Sequence, residues 1–208
     1  MPLLTYDDAV LITEPFREAW LEAHQYAWRL WMSQVTENPE FVKPLTSSDR
    51  YVILHRHITD QAARRLDGHL VTADGCDFFA QRIGNRTLVR FKHLDSDLRP
   101  QNYPTDQQKH LDQQEYTERL VEQLSLNPVE EPPTVVTVGY TLTPGEDELS
   151  RVVIICRNPK LQWCIDLLDT AGLGGGNVDV KPFPSMPPTP PRITSTRRKQ
   201  DEAEGNEG

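Results

Sequence analysis

The chain is poor in cysteine and has no long apolar run. Its 208 residues include three cysteines, Cys76, Cys156 and Cys164. This odd, widely spaced set argues against a disulfide framework and against a four-ligand zinc site. No stretch approaches the roughly 18 apolar residues of a membrane span, and residues 1–8 lack the basic start and apolar run of a signal peptide. We therefore expect a cytoplasmic protein that does not associate with a membrane.

Apolar residues in general are also scarce. They make up 37% of the chain, below the roughly 45–50% of typical globular domains, so part of the chain is not expected to pack. In residues 170–208, a glycine-rich stretch precedes six prolines between Pro182 and Pro191. Such a composition cannot offset the entropy of folding, which predicts a disordered Gly/Pro-rich tail. Its Pro187–Arg192 stretch fits a PxxPxR peptide-recognition pattern, although a solvated spacer is the favoured interpretation.

Charge is distributed unevenly along the chain. The net charge is −9, from 22 Lys and Arg against 31 Asp and Glu, which is not typical of a general nucleic-acid binder. Residues 50–100 nevertheless hold 9 basic and 6 acidic side chains, whereas residues 101–150 hold 2 basic and 10 acidic ones. The basic segment either contacts phosphate or an acidic partner, or pairs with the protein's own acidic segment. Internal pairing is the favoured interpretation.

Helical patterns occupy the first third of the chain. Thr13 is predicted to cap a helix that has Pro15 in its first turn and runs to about Val35. Its apolar residues recur every three or four positions on two faces, which indicates packing from more than one side, by its own domain or by a partner. A second helix is predicted after Ser47 or Ser48. The first helix contains three tryptophans: Trp20, Trp28 and Trp31.

A hairpin is predicted around Gly84-Asn85. These residues separate two strand-like segments and suit the primed turn of a two-residue loop. Counting outward from this loop pairs Ala80 with Val89 and places Phe79 beside Arg90 on the other face.

Alternating patterns predict three later strands, in residues 134–142, 149–156 and 163–167. Turn residues lie between these segments, and short connections make neighbouring strands antiparallel.

The elements together predict one α+β domain over residues 10–169, after a flexible N-terminus of residues 1–9. A third helix is predicted between the strands, from the capping box at Thr105 to about Leu126. In this domain the N-terminal helices pack on a mainly antiparallel sheet of five or six strands.

His55 and His57, with Asp60, resemble part of a metal site. On a helix, residues two positions apart point in different directions, so these two imidazoles cannot share an ion. A known hydrolase spacing, His-x-His-x-Asp-His, needs an acid where this chain has Thr59. Zinc needs three or four convergent ligands, and no His-Glu-x-x-His motif occurs. We predict neither a metal site nor a cofactor.

Asp77 and the Arg90-Phe91-Lys92 stretch are loosely similar to the core of restriction-type nucleases. In those enzymes an acid on one strand and an acid-x-Lys on the next hold the magnesium that activates water. Arg90 replaces the second acid, which removes a ligand and adds a repelling cation. A cross-strand ion pair between Asp77 and Lys92 is the simpler interpretation. We predict no catalytic residue, and the balance is against an enzyme.

Four short motifs follow one another in the chain: Arg90-Phe91-Lys92-His93-Leu94, Pro104-Thr105-Asp106-Gln107-Gln108, Gly139-Tyr140-Thr141-Leu142 and Trp163. In this order they resemble a group of uncharacterised bacterial and phage proteins, over roughly residues 45–167. Members of that group are often encoded beside helix-turn-helix regulators, so the resemblance implies a regulatory or mobile-element setting. It implies no active site.

The first functional hypothesis is a non-enzymatic interaction protein, the partner or modulator of a DNA-binding regulator in a phage or mobile-element setting. The acidic residues 101–150 could cover a basic surface of that partner, since complementary charge speeds and orients association. Large aromatic residues dominate binding hot spots, which predicts interface anchors at Trp20, Trp28 and Trp31.

The alternative hypothesis is a nucleic-acid-binding or nuclease-like protein that uses the basic hairpin. Phe79 beside Arg90 would offer a stacking platform of the kind that binds single strands. The predicted basic patch consists of Arg82, Arg86, Arg90 and Lys92.

Overall fold

The computed structural model of the chain describes residues 3–66, 70–72, 79–84, 86–101, 133–158 and 160–168, and among these residues the helices come first and the strands follow. The described helices are α1 (Tyr6–Glu37), α2 (Pro39–Val42) and α3 (Ser47–Arg65). The described strands are β1 (Leu70–Thr72), β2 (Phe79–Ile83), β3 (Thr87–His93), β4 (Thr134–Leu142), β5 (Leu149–Asn158) and β6 (Leu161–Asp166).

These described strands form one mixed sheet in the order β1-β2-β3-β4-β5-β6. All neighbours are antiparallel except β3 and β4, which run parallel with Thr87 opposite Thr134. A parallel pair needs a long crossover connection, and the chain between these two strands provides it. The predicted α+β fold, with N-terminal helices on a mainly antiparallel sheet, is confirmed. The predicted helix Thr105–Leu126 and the predicted tail, residues 170–208, lie outside the described residues.

Helix α1 begins earlier than predicted. The hydroxyl of Thr5 caps it and accepts a hydrogen bond from the Asp8 backbone N–H at 3.2 Å. The predicted cap, Thr13, is buried inside the helix, where its hydroxyl donates to the Ala9 carbonyl at 2.6 Å. The prediction of the cap was wrong because both threonines have suitable chemistry, and the local sequence does not choose between them.

Contacts between Leu4 and the sheet place the start of α1 at Thr5 rather than at Thr13. Leu4 is 1% exposed. Its backbone N–H donates to Thr134 Oγ1 at 3.1 Å, and its carbonyl accepts from Trp163 Nε1 at 2.8 Å. Part of the segment predicted to be flexible, residues 1–9, is therefore buried or helical, and the folded region begins before residue 10.

The β2–β3 hairpin is shifted by one residue from the predicted register. Ala80 lies opposite Arg90 and Gln81 opposite Val89. The strands are joined through a three-residue connection that starts at Gly84, whose φ of 53° is easily adopted by glycine. The predicted pairs of Ala80 with Val89 and of Phe79 with Arg90 are wrong.

A buried hydrogen bond explains this register. The Trp20 indole N–H donates to Gln81 Oε1 at 2.7 Å, and both side chains are fully buried. A buried indole N–H needs an acceptor. The predicted register would turn Gln81 to the opposite face of the sheet and leave Trp20 without this partner.

The main core lies between the helices and one face of the sheet. Sheet residues in this core are Ile83, Val89, Phe91, Val136, Val138, Tyr140, Val152, Ile154, Cys156, Trp163 and Ile165. The opposite face carries a smaller cluster of Leu94, Val153, Ile155 and Cys164. None of the described helices combines the length and the apolar character that crossing a bilayer requires.

Candidate functional site

A cavity of about 260 Å³ opens between the N-terminal half of α3 and the end of β3. Helical spacing of three and four positions places its α3 residues on one side of that helix. Gln101 is held beside β3, because its backbone N–H donates to the His93 carbonyl at 3.1 Å. The cavity is lined by Ser48, Tyr51, Val52, His55, Lys92, His93 and Gln101.

Capping and burial set the orientation of α3. Thr46 Oγ1 accepts from the Asp49 N–H at 3.3 Å, and the Asp49 carboxylate accepts from the Thr46 N–H at 2.8 Å, which forms a reciprocal capping box. These bonds, the backbone one first, hold the pKa of Asp49 below its usual range. Leu54, Ile58 and Ala62 form the buried stripe of the helix. Burial of this stripe fixes the rotation of α3 about its own axis. The neighbouring side of the helix therefore faces the cavity; it carries Ser48, Tyr51, Val52 and His55.

Histidine and tyrosine rings form a layer that borders the cavity. His93 stacks on Tyr51, with 3.9 Å between ring centroids and 17° between ring planes. The ring centroid of His93 also lies 5.0 Å from that of Tyr140. His24, on α1, makes an edge contact with Tyr140 at 5.8 Å. We call these four residues the ring layer; they join α1, α3, β3 and β4.

Burial keeps the histidines around the cavity neutral. The pKa values of His24, His55 and His93 are each lowered to about 4, chiefly because burial removes water from the charged form. The nearby Lys92 ammonium lowers the pKa of His55 further. Burial also raises the pKa of the Tyr140 hydroxyl. At neutral pH all four side chains are therefore uncharged.

Three buried polar atoms of the ring layer have no hydrogen-bond partner in the described part of the chain: His24 Nε2, His93 Nδ1 and the Tyr140 hydroxyl. His24 Nδ1 lies 2.7 Å from the Trp20 carbonyl oxygen, which can only accept, so Nδ1 carries the proton and Nε2 is an acceptor. Unpartnered buried polar atoms are uncommon and costly. The ring layer thus has hydrogen-bonding capacity that the described residues do not use.

An ion pair connects the β4–β5 turn to α3. The Arg50 guanidinium binds the Glu146 carboxylate, and the Tyr51 hydroxyl donates to Glu146 Oε1 at 2.8 Å. These hydrogen bonds, that of Arg50 first, hold the pKa of Glu146 below its usual range. The Arg50 guanidinium also lies over the Tyr51 ring, 5.1 Å from its centroid. Tyr51 is thereby held from two sides at the wall of the cavity.

The structure places the predicted tryptophan anchors mainly in the core. Trp20 is fully buried and Trp31 is 7% exposed, so neither presents its ring to a partner. Trp28 is half-buried and packs against the main core. The prediction of three anchors on one interaction helix is therefore wrong for Trp20 and Trp31, because α1 is covered by the sheet and by α3. Trp28 alone retains partly exposed surface.

The predicted basic patch does not form one exposed surface either, because Arg90 is 2% exposed. Its Nη2 donates to Thr137 Oγ1 at 3.4 Å, on the sheet face opposite the helices. Ala80, rather than Phe79, lies opposite Arg90. The expected stacking platform of Phe79 beside Arg90 is therefore absent from this register.

The other three basic residues have separate surroundings. Arg86 Nη2 lies 3.7 Å from the Asp8 carboxylate on α1, and the Nε of Arg82 donates to the Gly84 carbonyl at 3.2 Å. Lys92 lines the cavity. The hairpin thus directs these side chains to different parts of the molecule.

The histidines singled out in the sequence also separate. His55 lines the cavity, whereas Asp60 pairs with Arg64 at 3.0 Å along α3. Within the described residues, no three His, Cys, Asp or Glu side chains are grouped as a metal site requires. The cavity itself was missed, because its residues come from three segments and form no motif. The available signal was that residues 50–100 hold four of the six histidines.

No family model, no curated protein and no solved structure matches this chain. The resemblance to bacterial and phage proteins therefore stays a prediction that rests on the four motifs alone.

Proposed function

We propose that the chain is a non-enzymatic interaction protein and that the cavity between α3 and β3 receives a side chain of its partner. The supporting observation is the make-up of the cavity, where Val52 is 62% exposed beside hydrogen-bonding side chains from three segments. Recognition sites combine apolar contact area with a few polar groups that fix orientation. The volume suits one or two side chains, since pockets for drug-sized ligands span roughly 300–1,000 Å³.

The partner that we propose is a DNA-binding regulator of the helix-turn-helix type. The support for this choice is the four-motif resemblance. A DNA-binding protein carries basic surface, and the net charge of −9 would steer this chain toward such a surface.

The test is affinity purification of the tagged full chain from its native cell, with and without nuclease treatment, read by mass spectrometry. The variant is Val52→Glu, which puts a charge at the edge of the cavity. The matched control is Leu11→Glu on α1, where the replaced side chain is 68% exposed and does not line the cavity. We expect a stoichiometric partner that survives nuclease, is lost with Val52→Glu and is retained with Leu11→Glu.

Two results would contradict the proposal. If Val52→Glu retains every partner, the cavity does not receive one. If all partners disappear on nuclease treatment, they are held through nucleic acid, and the alternative hypothesis gains the support.

A further inference from the structure

We infer that the cavity between α3 and β3 receives the chain's own Phe183, which lies between Pro182 and Pro184 in the stretch that follows the sheet. Residues 182–184 thereby compete with the partner for the cavity, so this regulatory consequence rests on the proposed function. The inference is drawn from where the chain leaves the sheet, from the charge around the cavity and from the residues of the segment.

The chain leaves the sheet at the edge where the cavity lies. β3 and β4 are parallel, and β4 and β6 each run antiparallel to β5, so β3, β4 and β6 all end at the same edge. His93 lies opposite Tyr140 and Tyr140 opposite Val152, whose carbonyl accepts from the Leu167 N–H at 2.7 Å. Leu167 is therefore in the same row as His93, three strand spacings or about 14 Å away.

The chain after Leu168 is long enough to reach back to the cavity. Residues 169–183 lead from Leu168 to Phe183 and include four glycines. For a glycine-rich chain the root-mean-square end-to-end distance is about 5–6 Å multiplied by the square root of the residue number, or about 21 Å here. This length exceeds the separation of about 14 Å along the sheet and leaves room for the step up to α3. A connection of this length gives a millimolar effective concentration of the segment at the cavity.

Charge complementarity favours this segment as the occupant. Residues 180–200 contain five Lys and Arg and no Asp or Glu. The β4–β5 turn carries Glu146, Asp147 and Glu148, and Arg50 of α3 binds Glu146, which places the turn beside the cavity and offsets one of its three charges. Hydrogen bonds hold the pKa values of Glu146 and Asp147 below their usual ranges, so both are charged at neutral pH. The acidic turn therefore attracts the basic segment toward the cavity.

Phe183 has the properties of an anchor residue. It is the only aromatic residue after Trp163, and the prolines on both sides restrict its backbone, which lowers the entropy lost on docking. Aromatic anchors that fill pockets dominate binding energies. At the cavity, Val52 is 62% exposed beside Tyr51 and the neutral ring of His55. A phenyl ring seated there removes the apolar surface of Val52 and its own from water.

The test compares Phe183→Ser with Ile193→Ser in the full chain. Ile193 is an apolar residue of the same basic stretch but lies outside residues 182–184, so it is the matched control. NMR signals of the Val52 methyl groups and of the His55 ring report on the cavity. We expect cross-relaxation between the Phe183 ring and the Val52 methyl groups. Phe183→Ser should shift the Val52 and His55 signals, whereas Ile193→Ser should leave them unchanged.

A synthetic peptide of residues 178–188 measures the competition. It should bind the Phe183→Ser chain saturably and the unchanged chain about tenfold more weakly, because the attached segment is present at a millimolar effective concentration. Adding Val52→Glu to the Phe183→Ser chain should abolish peptide binding. Adding Leu11→Glu, at an exposed position of α1 that does not line the cavity, should retain it.

Three results would overturn the inference. If Phe183→Ser leaves the Val52 and His55 signals unchanged, the cavity does not hold Phe183 and the solvated spacer is the correct interpretation. If the peptide binds both chains equally, the attached segment does not compete. If the cross-relaxation appears only as the protein concentration rises, the segment enters the cavity of a second copy rather than its own.

The two proposals can fail separately. If Phe183 docks while Val52→Glu retains every partner, the chain fills its own cavity and the proposed function is wrong. If Phe183 does not dock while Val52→Glu loses the partner, the inference is wrong and the interaction remains. If both proposals hold, Phe183→Ser should increase the amount of partner that is recovered.

Discussion

The imidazole of His93 lies flat on the phenol ring of Tyr51, with ring centroids 3.9 Å apart. Tyr51 is itself held by the hydrogen bond from its hydroxyl to Glu146, at 2.8 Å. The stack therefore connects α3, the end of β3 and the β4–β5 turn. Glu146 in that turn thus helps to position Tyr51 and, through the stack, the His93 ring on β3.

Two substitutions of Tyr51 separate the stack from the hydrogen bond. Tyr51→Phe keeps the ring and removes the bond to Glu146, which should lower the free energy of unfolding by about 0.5–1.5 kcal/mol. Tyr51→Ala also removes the contact with His93 and should cost about 2 kcal/mol or more. Urea unfolding of both variants measures the difference. Equal losses would mean that the stack contributes nothing to stability.

Stability should fall in mild acid because of His24. Its pKa is lowered to about 4 in the folded state by burial, so the unfolded chain takes up this proton first as the pH falls. The contribution of neutral His24 is complete above pH 6.5 and is lost progressively between about pH 6.5 and 4. A shift of this size corresponds to about 3 kcal/mol. Burial also lowers the pKa values of His55 and His93, so these residues likewise reduce the free energy of unfolding as the pH falls. Their contributions are smaller because both side chains are partly exposed to water, which screens them.

The measurement is the urea midpoint at several pH values between 7.5 and 4. His24→Gln, which can still donate to the Trp20 carbonyl, should flatten the dependence on pH. A variant with the same slope as the unchanged chain would show that His24 is not the group responsible.

Gly139 is required by the close approach of the segment that follows β3. A Cβ at this position would lie 2.5 Å from Leu94 Cδ1 and 2.9 Å from the Lys92 carbonyl oxygen. Because a backbone atom cannot move aside cheaply, Gly139→Ala should lower the free energy of unfolding by about 1–3 kcal/mol. The matched control is Gly145→Ala, where the nearest atom is in the flexible side chain of Asp147, at 3.1 Å. Similar losses in the two variants would contradict this explanation.

Local patterns predicted several elements closely. The alternation over residues 134–142 gave the bounds of β4, and α3, predicted to follow Ser47 or Ser48, begins at Ser47 with Thr46 as its cap. Helix α3 buries one stripe, and β4 is buried on both faces from Thr134 to Thr141. In both elements the larger apolar side chains recur on the side that faces the main core, so the spacing of these residues is sufficient. The start of α1 was missed, because Thr5 and Thr13 are equivalent as caps until Leu4 is placed against the sheet.

The candidate site could be predicted far less well. The tryptophans and the basic hairpin were plausible surface features, yet Trp20 and Arg90 are buried. The composition shows which residue types can bind a partner, but it does not show which face of the sheet the helices cover. The cavity residues lie between Ser48 and Gln101 and meet only when α3 packs beside the end of β3.

The sequence by itself determined the α+β class and the order of α1, α3 and the strands β2 to β6, whereas α2 and β1 were not predicted. Apolar periodicity was sufficient for these elements because it reports which side of each one avoids water. The tertiary structure alone decided the hairpin register, the burial of Arg90 and the assembly of the cavity. Each of these depends on a distant residue, such as the acceptor that Gln81 provides for the buried indole of Trp20. Such pairings satisfy polar atoms that only become buried when the helices meet the sheet, so no local pattern encodes them.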